Sequence, residues 1–227
     1  MGVLSINTRV EEQFYPNGAL RSRRYYLDNL FHFHREDGPA YEQFYANGVV
    51  ATRKWYDHGK LHRDDGPAIE SFAISGSINE REWWIDNKRH RIGGPAIEQF
   101  YDNGILRSCS WYNNNDLHRE DGPTKEWFYN NGLLNRYEWY LNNVTHRSDG
   151  PAVGSFFEDG KIASRTWWDH GKLHRLDGPA YENFSLTGQI KPVYYIDAEP
   201  LPKDEYHRRI ALLKLSAKTI AKNEVSL

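Results

Sequence analysis

A period of 28 residues dominates this sequence. Histidine recurs at that spacing without a slip, and an arginine follows each one directly. The six histidines are His34, His62, His90, His118, His146 and His174. Six copies in register restrict the chain to an architecture in which one short unit is stacked on the next. We number the repeats 1 to 6 from these histidines, so that repeat 1 is 34–61 and repeat 6 is 174–201.

Other positions recur inside the repeat. Gly-Pro follows the histidine by four and five residues, phenylalanine by ten, glycine by fourteen and an aliphatic residue by sixteen. A weakened copy precedes repeat 1, because 12–18 matches 42–48 at a spacing of 30, which predicts a two-residue insertion between Asp28 and Phe33. Pro202 stands where a seventh histidine would fall, so the array is expected to end there.

Each repeat alternates strand-forming and turn-forming residues. In repeat 1, the aromatic and β-branched residues of 40–45 and 50–56 predict two strands. Asn47-Gly48 predicts a tight hairpin turn between them, and 57–60 predicts a second turn. Gly-Pro then ends the pairing, because proline has no N–H to donate to a sheet.

A single hairpin is marginally stable in water, but stacked hairpins stabilise one another. We therefore predict an all-β fold, an elongated single antiparallel sheet of stacked β-hairpin repeats, with a C-terminal α-helical cap. Acidic residues start the predicted helix of about 18–20 residues, and apolar residues follow at helical spacing. These apolar residues are Tyr206, Ile210, Leu213, Ala217 and Ile220. Docking to a partner or to a second copy is the alternative role for this helix.

The repeats divide the chain into three parts of one continuous domain. An N-terminal cap and degenerate repeat is predicted at 1–33, six repeats at 34–201 and the helix at 202–227. The formal net charge of −2 lacks the basic surface that nucleic acid or an anionic membrane requires. A single cysteine, Cys109, excludes an internal disulfide. The first residues lack a signal-peptide pattern, and no apolar run approaches the length of a membrane span.

The His-Arg-x-Asp segment resembles the catalytic loop of protein kinases. It recurs throughout the array, however, and no glycine-rich phosphate loop or Asp-Phe-Gly segment accompanies it. We therefore predict no enzymatic activity, no catalytic residues and no cofactor. One histidine and one aspartate per repeat could converge on a metal, but the arginine after each histidine would repel a cation, so no metal site is expected. His58 and His170 are interpreted as turn residues.

The structural interpretation of the same segment is a ladder of side chains. Aspartate before glycine accepts hydrogen bonds from its own turn, and it can also pair with arginine or histidine of its own or the adjacent repeat. We predict an Arg–Asp–His ladder along one sheet edge. Its representative members are His62, Arg63, Asp65, His118, Arg119 and Asp121. Repeat 3 carries Gly93 in place of the aspartate, so Arg91 is expected to be less restrained.

Aromatic residues define two further rows. The repeated phenylalanines, such as Phe72, Phe100 and Phe128, are predicted to stack as a spine. The aromatic residues that directly follow the repeated Phe or Trp fall on the opposite face by strand alternation, and are our candidates for a partner surface. These candidates are Tyr45, Tyr101, Tyr129, Tyr56, Trp84, Tyr112, Tyr140 and Trp168. Packing of both faces by long side chains is the alternative.

Two short sequence segments of the repeat resemble those of a known family. Phe44-Tyr45-Ala46-Asn47-Gly48 and Trp55–Lys60 are similar to MORN repeats, and HRxDGPA resembles a long MORN-like variant of large DNA viruses, phages and some bacteria. The resemblance covers about Glu12 to Asp197. This sequence departs from the usual MORN unit, which is shorter and lacks the HRxDGPA segment.

The resemblance implies a non-enzymatic repeat scaffold that mediates protein–protein interaction, as a viral or phage structural or host-interaction protein. A bacterial antitoxin- or immunity-type binding protein and a lipid-surface-binding module are the alternatives. The expected partner is another protein, with self-association as a further option, whereas nucleic acid is excluded and a membrane surface is disfavoured by the charge. The expected location is cytoplasmic or virion-associated, neither secreted nor transmembrane.

Overall fold

The computed structural model of the chain describes residues 8–27 and 32–224. The chain divides into two compact units, 1–133 and 134–227, and each is described by itself. Residues 1–7, where a leader would begin, and 28–31, which contain most of the predicted insertion loop, lie outside the described residues. The predicted division at 33 and 201 follows the repeats and stays a prediction.

The first unit consists of antiparallel strands across its described residues. They are β1 (Thr8–Phe14), β2 (Leu20–Leu27), β3 (Tyr41–Phe44), β4 (Val50–Lys54), β5 (Tyr56–Asp57), β6 (Lys60–Leu61), β7 (Ile69–Phe72), β8 (Ile78–Glu82), β9 (Trp84–Ile85), β10 (Lys88–Arg89), β11 (Ile97–Phe100), β12 (Leu106–Ser110), β13 (Tyr112–Asn113), β14 (Asp116–Leu117) and β15 (Lys125–Phe128). The long strands pair in the order β1-β2-β3-β4-β7-β8-β11-β12-β15. Each repeat therefore adds one hairpin to the sheet.

A second, shorter hairpin follows each long one. The predicted strand 50–56 ends at Lys54, and β5 pairs with β6 as a separate two-residue hairpin. Trp55 separates them because its N–H is donated to the carbonyl of Ala68 at 2.8 Å, in the next repeat. The turn of the short hairpin places His58 and Gly59 at φ of 46° and 82°, a combination typical of a type I′ turn.

The Asn-Gly turn of the long hairpin differs from the tight turn predicted for it. Gly48 takes a φ of 85°, while Asn47 uses its side-chain oxygen to accept the N–H of Val49 at 3.1 Å. The loop closes from Tyr45 to Val49, and the register shifts between Gln43 and Phe44. A glycine with positive φ beside a bulge is a common way to close a longer hairpin loop.

The second unit continues the same pattern and adds a helix. Its elements are β16 (Leu134–Glu138), β17 (Tyr140–Leu141), β18 (Val144–Thr145), β19 (Val153–Phe156), β20 (Ile162–Thr166), β21 (Trp168–Asp169), β22 (Lys172–Leu173), β23 (Tyr181–Phe184), β24 (Ile190–Ile196), β25 (Glu199–Leu201) and α1 (Lys203–Glu224). Its long strands pair in the order β16-β19-β20-β23-β24-β25. The prediction of an all-β, antiparallel hairpin-repeat fold with a C-terminal helix is confirmed.

One position of the repeat is fully buried, and it carries a small side chain. The last position of HRxDGPA is fully buried in both units, whereas the predicted phenylalanine spine is only half-buried where it lies in the sheet. The fully buried residues at this position are Ala40, Ala68, Ala96, Thr124, Ala152 and Ala180. The backbones of successive repeats approach closely there, as the hydrogen bond from Trp55 to Ala68 shows, and a small side chain suits that approach.

Helix α1 packs through its first turns. Tyr206 and Ile210 are buried with Leu201, against Tyr194 and Ile196. Leu213 and Ala217, which helical spacing places on the same face, are exposed. The side chain of Ile220 lies outside the described residues. In the part of the chain that the structure describes, no helix combines the length and apolarity needed to cross a membrane.

Candidate functional site

The HRxDGP segments form loops, here called signature loops, at 34–39, 62–67, 90–95, 118–123, 146–151 and 174–179. The arginine of each loop lies over an aromatic ring of the preceding repeat. Its Cζ is 4.1 Å from the ring centroid for Arg63 over Trp55, and 3.8 Å for Arg175 over Trp167. The equivalent pairs are Arg35–Tyr25, Arg91–Trp83, Arg119–Trp111 and Arg147–Trp139. This cation–π contact joins one repeat to the next.

The same arginines bind the aspartate two residues later. Arg63 Nε donates to Asp65 at 2.7 Å, and Arg119 Nε donates to Asp121 at 2.8 Å. Hydrogen bonding to Arg119 holds the pKa of Asp121 below its ordinary value, and Arg63 does the same for Asp65. The predicted ladder residues thus pair Arg with Asp within a single loop.

Glycine in the signature loop makes room for the guanidinium. A methyl group on Gly122 would lie 2.4 Å from Arg119 Cζ. Arg119 also donates to the carbonyl of Pro123 at 3.2 Å, so the loop backbone itself holds the side chain. The repeated Gly-Pro therefore both ends the strand pairing and holds the arginine side chain, since glycine leaves room for the guanidinium and the proline carbonyl accepts its hydrogen bond.

Repeat 3 lacks the Arg–Asp pair. Arg91 lacks the aspartate partner because Gly93 stands there, yet it is well held. It lies 3.7 Å from the Trp83 ring centroid and donates to Glu98 at 2.9 Å. Arg91 lacks one hydrogen bond that the other five arginines make, and its side chain, at 30% exposure, is the most exposed of the six, so the expectation of a less restrained Arg91 stays a prediction.

The signature histidines face the short hairpins. His62 Nδ1 accepts the backbone N–H of Asp86 at 3.3 Å, and His174 Nδ1 accepts that of Asp197 at 3.1 Å. His62 Nε2 also lies 3.1 Å from Asp64. The structure therefore places the predicted ladder histidine against a turn rather than against the Arg–Asp pair. In His118 of the first unit, Nδ1 is buried without a hydrogen-bond partner.

One side of the sheet, here called the framework face, carries the side chains that repeat most regularly. It contains the glutamates at the eighth position after the histidine and the phenylalanines at the tenth. The residues between them, at the ninth position, lie on the other side of the sheet. Arg81 lies 5.3 Å from the Phe100 ring centroid and 3.7 Å from Glu98, and Arg53 lies 5.7 Å from that of Phe72. The third spine residue, Phe128, is likewise half-buried.

At the position of the framework face that Arg53 and Arg81 occupy in repeats 1 and 2, repeat 3 carries a cysteine. Cys109 pairs with Glu98 and Glu126 on the neighbouring strands, and its Sγ lies 3.6 Å from Glu126. Burial, reinforced by Glu126, raises the pKa of the Cys109 thiol to about 12. In the second unit, the ring of Tyr137 lies over Gly154, where a methyl group would be 2.4 Å from it.

The first row of predicted partner residues connects adjacent repeats. Tyr45 donates its hydroxyl to the carbonyl of Phe72 at 2.9 Å, and Tyr101 donates to that of Phe128 at 2.8 Å. Tyr15 makes the same contact with Phe44, which places the degenerate repeat in register. Tyr129 is half-buried at the equivalent position.

The second row of predicted partner residues is also half-buried. Trp84 Nε1 donates to Glu82 at 3.0 Å, Tyr140 donates to Glu138 at 2.8 Å, and Trp168 Nε1 donates to Thr166 at 2.7 Å. Burial raises the pKa of Tyr56, whose ring centroid lies 5.0 Å from that of Phe33. The Tyr112 ring lies 5.7 Å from the guanidinium carbon of Arg89.

The opposite side of the sheet, here called the variable face, carries side chains that change from repeat to repeat. In the first unit, it contains the ninth position after each histidine and the partner of that position at the eighteenth. The ninth positions are Gln43, Ser71, Gln99 and Trp127, and the eighteenth are Thr52, Glu80 and Ser108. They are paired by strand register, so their side chains share one side of the sheet.

A groove of about 730 Å³ crosses the variable face of the first unit. Its lining includes Ser71, Glu80, Gln99 and Arg107, with Tyr101 at its margin. Gln99 donates to Glu80 at 2.8 Å and accepts from Arg107 at 3.1 Å. The groove is therefore polar, preorganised by its own hydrogen bonds and bordered by an aromatic ring.

Sequence reasoning did not identify three of these features. The arginine–tryptophan contacts join residues eight apart in sequence, and both residues repeat, so this pairing could have been found from the period. The tyrosine hydroxyl bonds and the variable face required the strand register. That register depends on the bulge and the separate short hairpin, which the sequence did not indicate.

The fold and these contacts define a β-hairpin repeat protein. No protein-family model matches the chain, and no curated protein matches it at a significant level.

Proposed function

We propose that this chain is a MORN-like, non-enzymatic repeat scaffold that binds another protein through its variable face. The observation that carries the proposal is the contrast between the two faces of the first unit. Glutamate and phenylalanine repeat on one, while Gln43, Ser71, Gln99 and Trp127 occupy equivalent places on the other. Repeat arrays keep constant the residues that join their units and can vary those that face a ligand.

The signature residues support a structural role for the loops. Arginine binds ring, aspartate and backbone, and tyrosine binds the next repeat. These groups are used in holding the array together. Of the segments that resemble MORN units, 44–48 forms the turn of the long hairpin and 55–60 forms most of the short hairpin, which fits a scaffold of that class.

The partner-binding face extends to the aromatic rows. Glu80 and Glu82 share one side of β8, and Trp84 of the short hairpin donates to Glu82, so its ring lies beside that side of the sheet. Half-buried aromatic residues beside a polar groove provide the mixture of apolar area and hydrogen bonds found in protein interfaces. A viral or phage setting, suggested by the resemblance alone, is part of the proposal only as a source in which to seek the partner.

The test is affinity purification of the tagged full chain from its native source, with chemical cross-linking and mass spectrometry. The double variant Ser71→Arg with Gln99→Arg places two large cations in the groove. Ile92→Arg is the matched control, since Ile92 is 90% exposed on a signature loop. A stoichiometric partner that cross-links near Tyr101 and is lost in the double variant alone supports the proposal.

Other outcomes separate the alternatives. A partner retained by the double variant overturns the variable face as the interface. Recovery of a bacterial toxin would favour the antitoxin- or immunity-type alternative. A monomer without a partner that sediments with anionic vesicles would replace protein binding with the lipid-surface alternative.

A further inference from the structure

Three potential metal ligands meet beside the signature loop of repeat 1. His34 comes from that loop, while Asp57 and His58 belong to the β5–β6 hairpin. His34 Nδ1 lies 3.1 Å from Asp57 Oδ1, and His58 Nδ1 lies 2.5 Å from the same oxygen. The two imidazole centroids are 4.5 Å apart. One ligand atom of each residue therefore lies within 4.8 Å of the others.

The second unit contains the same arrangement in repeat 5. His146 Nδ1 lies 3.1 Å from Asp169 Oδ1, and His170 Nδ1 lies 2.5 Å from that oxygen. Their imidazole centroids are 4.3 Å apart. Among the described residues, these are the two groups of this composition, one in each unit. Cavities of about 850 and 630 Å³ include residues of the two clusters in their linings.

The backbone fixes both clusters in place. The N–H of His58 points at His34 Nδ1 at 3.2 Å, and the N–H of Gly59 binds the carbonyl of Phe33 at 2.9 Å. In the second unit, the N–H of His170 points at His146 Nδ1 at 3.3 Å. The ligand atoms are thus brought together by the short-hairpin turn, which is rigid at positive φ.

Electrostatics favours a cation at this point. The lone pair of His34 Nδ1 is directed at the turn, where it accepts the N–H of His58, and the Asp57 carboxylate faces it at 3.1 Å, so a bound ion would take the place of that hydrogen bond. Two such acceptors repel unless a proton or a metal cation lies between them. His34 is 4% exposed, and its Nε2 is buried without a hydrogen-bond partner.

The arginine next to each signature histidine does not prevent a cation from binding at these clusters. Arg35 donates to Asp37 at 2.7 Å and lies over the Tyr25 ring at 4.2 Å. Arg147 likewise donates to Asp149 at 2.7 Å. Each guanidinium is therefore balanced by a carboxylate of its own loop, which removes the repulsion that the sequence suggested.

The turn does not itself require this pair of residues. Asp-His occupies it in repeats 1 and 5, whereas the other repeats have Ile85-Asp86, Asn113-Asn114, Leu141-Asn142 and Ile196-Asp197. Asparagine is a preferred residue at the positive φ that His58 and His170 adopt. Histidine is also tolerated at positive φ, so the turn permits His58 and His170 without requiring them.

We propose that His34, Asp57 and His58 form a binding site for a divalent transition-metal ion such as Zn²⁺, and that His146, Asp169 and His170 form a second one. Two imidazole nitrogens and one carboxylate oxygen are a donor set that Zn²⁺ accepts, leaving one position for water or a ligand from a partner. The ion would link each signature loop to its hairpin turn. This goes beyond the scaffold role and does not depend on it.

The test is a calorimetric titration of the metal-stripped full chain with ZnCl₂. Asp57→Asn with His58→Asn gives the first turn the Asn-Asn pair that repeat 3 carries naturally, so the turn is preserved. Asp169→Asn with His170→Asn does the same in the second unit. We expect two equivalents for the wild type, one for either double variant and none for the combined variant, with unchanged circular dichroism.

Two controls sharpen the result. Asp86→Asn alters a turn with one histidine and one aspartate, and should leave the stoichiometry at two. Asn113→Asp with Asn114→His should create a third equivalent, because His90 Nδ1 is buried there without a partner. Absence of zinc binding by the wild type, or two equivalents retained by the combined variant, would overturn the proposal.

Discussion

At the scale of single residues, the signature arginine explains most of the HRxDGP motif. It contacts an aromatic ring of the preceding repeat and has a glycine beneath its guanidinium, and in five of the six repeats it also binds an aspartate two residues later. Arg119 meets all three through Trp111, Asp121 and Gly122. The sequence indicated the Arg–Asp pair because the two residues recur together, but the ring and the glycine contact were not predicted.

The Arg119–Trp111 contact should be measurable by a double-mutant cycle. Arg119→Lys and Trp111→Leu each remove the stacked geometry, and we expect a coupling energy of about 0.5–2 kcal/mol because the guanidinium is partly desolvated over the ring. Urea denaturation of the two single variants and the double variant gives this energy. Arg107→Lys with Trp111→Leu is the control pair, and a similar coupling there would contradict the assignment.

Cys109 should be chemically inert in the folded protein. Burial raises the pKa of its thiol to about 12, and only the thiolate is reactive. Alkylation by iodoacetamide at pH 8 is expected to be roughly a thousandfold slower than for an unperturbed thiol. Peptide mass spectrometry over time would measure it, with Ser75→Cys in the Cys109→Ser background as the exposed control. Equal rates would show that the burial is wrong.

At the scale of elements, the C-terminal helix is attached to the last signature loop by one side chain. The Tyr206 hydroxyl donates to the Arg175 carbonyl and accepts the Gly178 N–H, both at 3.0 Å. The helix itself was predictable from its periodicity. The end of its buried face at Ile210 was not, because apolar spacing indicates a possible contact surface but not how far the sheet extends beneath it.

Removing the Tyr206 hydroxyl should destabilise the helix attachment. Tyr206→Phe leaves the Gly178 N–H without its partner in a site where Tyr206 is 2% exposed, so we expect a loss of about 1–3 kcal/mol. Thermal unfolding followed by circular dichroism checks the value. Leu212→Ala, at a position 59% exposed, should change stability by less than about 0.5 kcal/mol. A larger effect at Leu212 than at Tyr206 would reverse the proposed attachment.

At the scale of the whole molecule, the period gave the fold class, the number of repeats and the turn positions. It did not predict the short hairpins, because tryptophan is typical of strands. The strand is interrupted only because the Trp55 N–H is donated to the next repeat. The site residues were placed less well than the fold. Half-burial of the phenylalanines and the tyrosine hydroxyl bonds depend on contacts between repeats, which the spacing within one repeat does not contain.

Acid should destabilise the molecule through its five Arg–Asp pairs. Hydrogen bonding to arginine lowers the pKa of each aspartate from 3.8, so the folded state binds protons less readily than the unfolded state. This contribution is complete above the unfolded pKa and is lost as pH falls through the lowered values. The five aspartates are Asp37, Asp65, Asp121, Asp149 and Asp177.

Melting temperatures measured from pH 6 to pH 2 test this expectation. The wild type should lose stability below about pH 4, near the ordinary aspartate pKa. Asp65→Asn with Asp121→Asn should be less stable at pH 6 and should lose less on acidification. Parallel curves for the two proteins would refute a role of the pairs.

The contacts between repeats have a direction. In the first unit, the Tyr45 hydroxyl and the Trp55 ring and N–H all meet groups of the following repeat. Successive repeats thus join through matching arginine and aromatic groups, while the tyrosine hydroxyl bond is missing where Ala73 or Phe157 stands at that position. Gene duplication or loss of a whole unit would then join compatible surfaces, so the number of units can change in evolution without a new fold. A protein built in this way can change its length by 28 residues at a time.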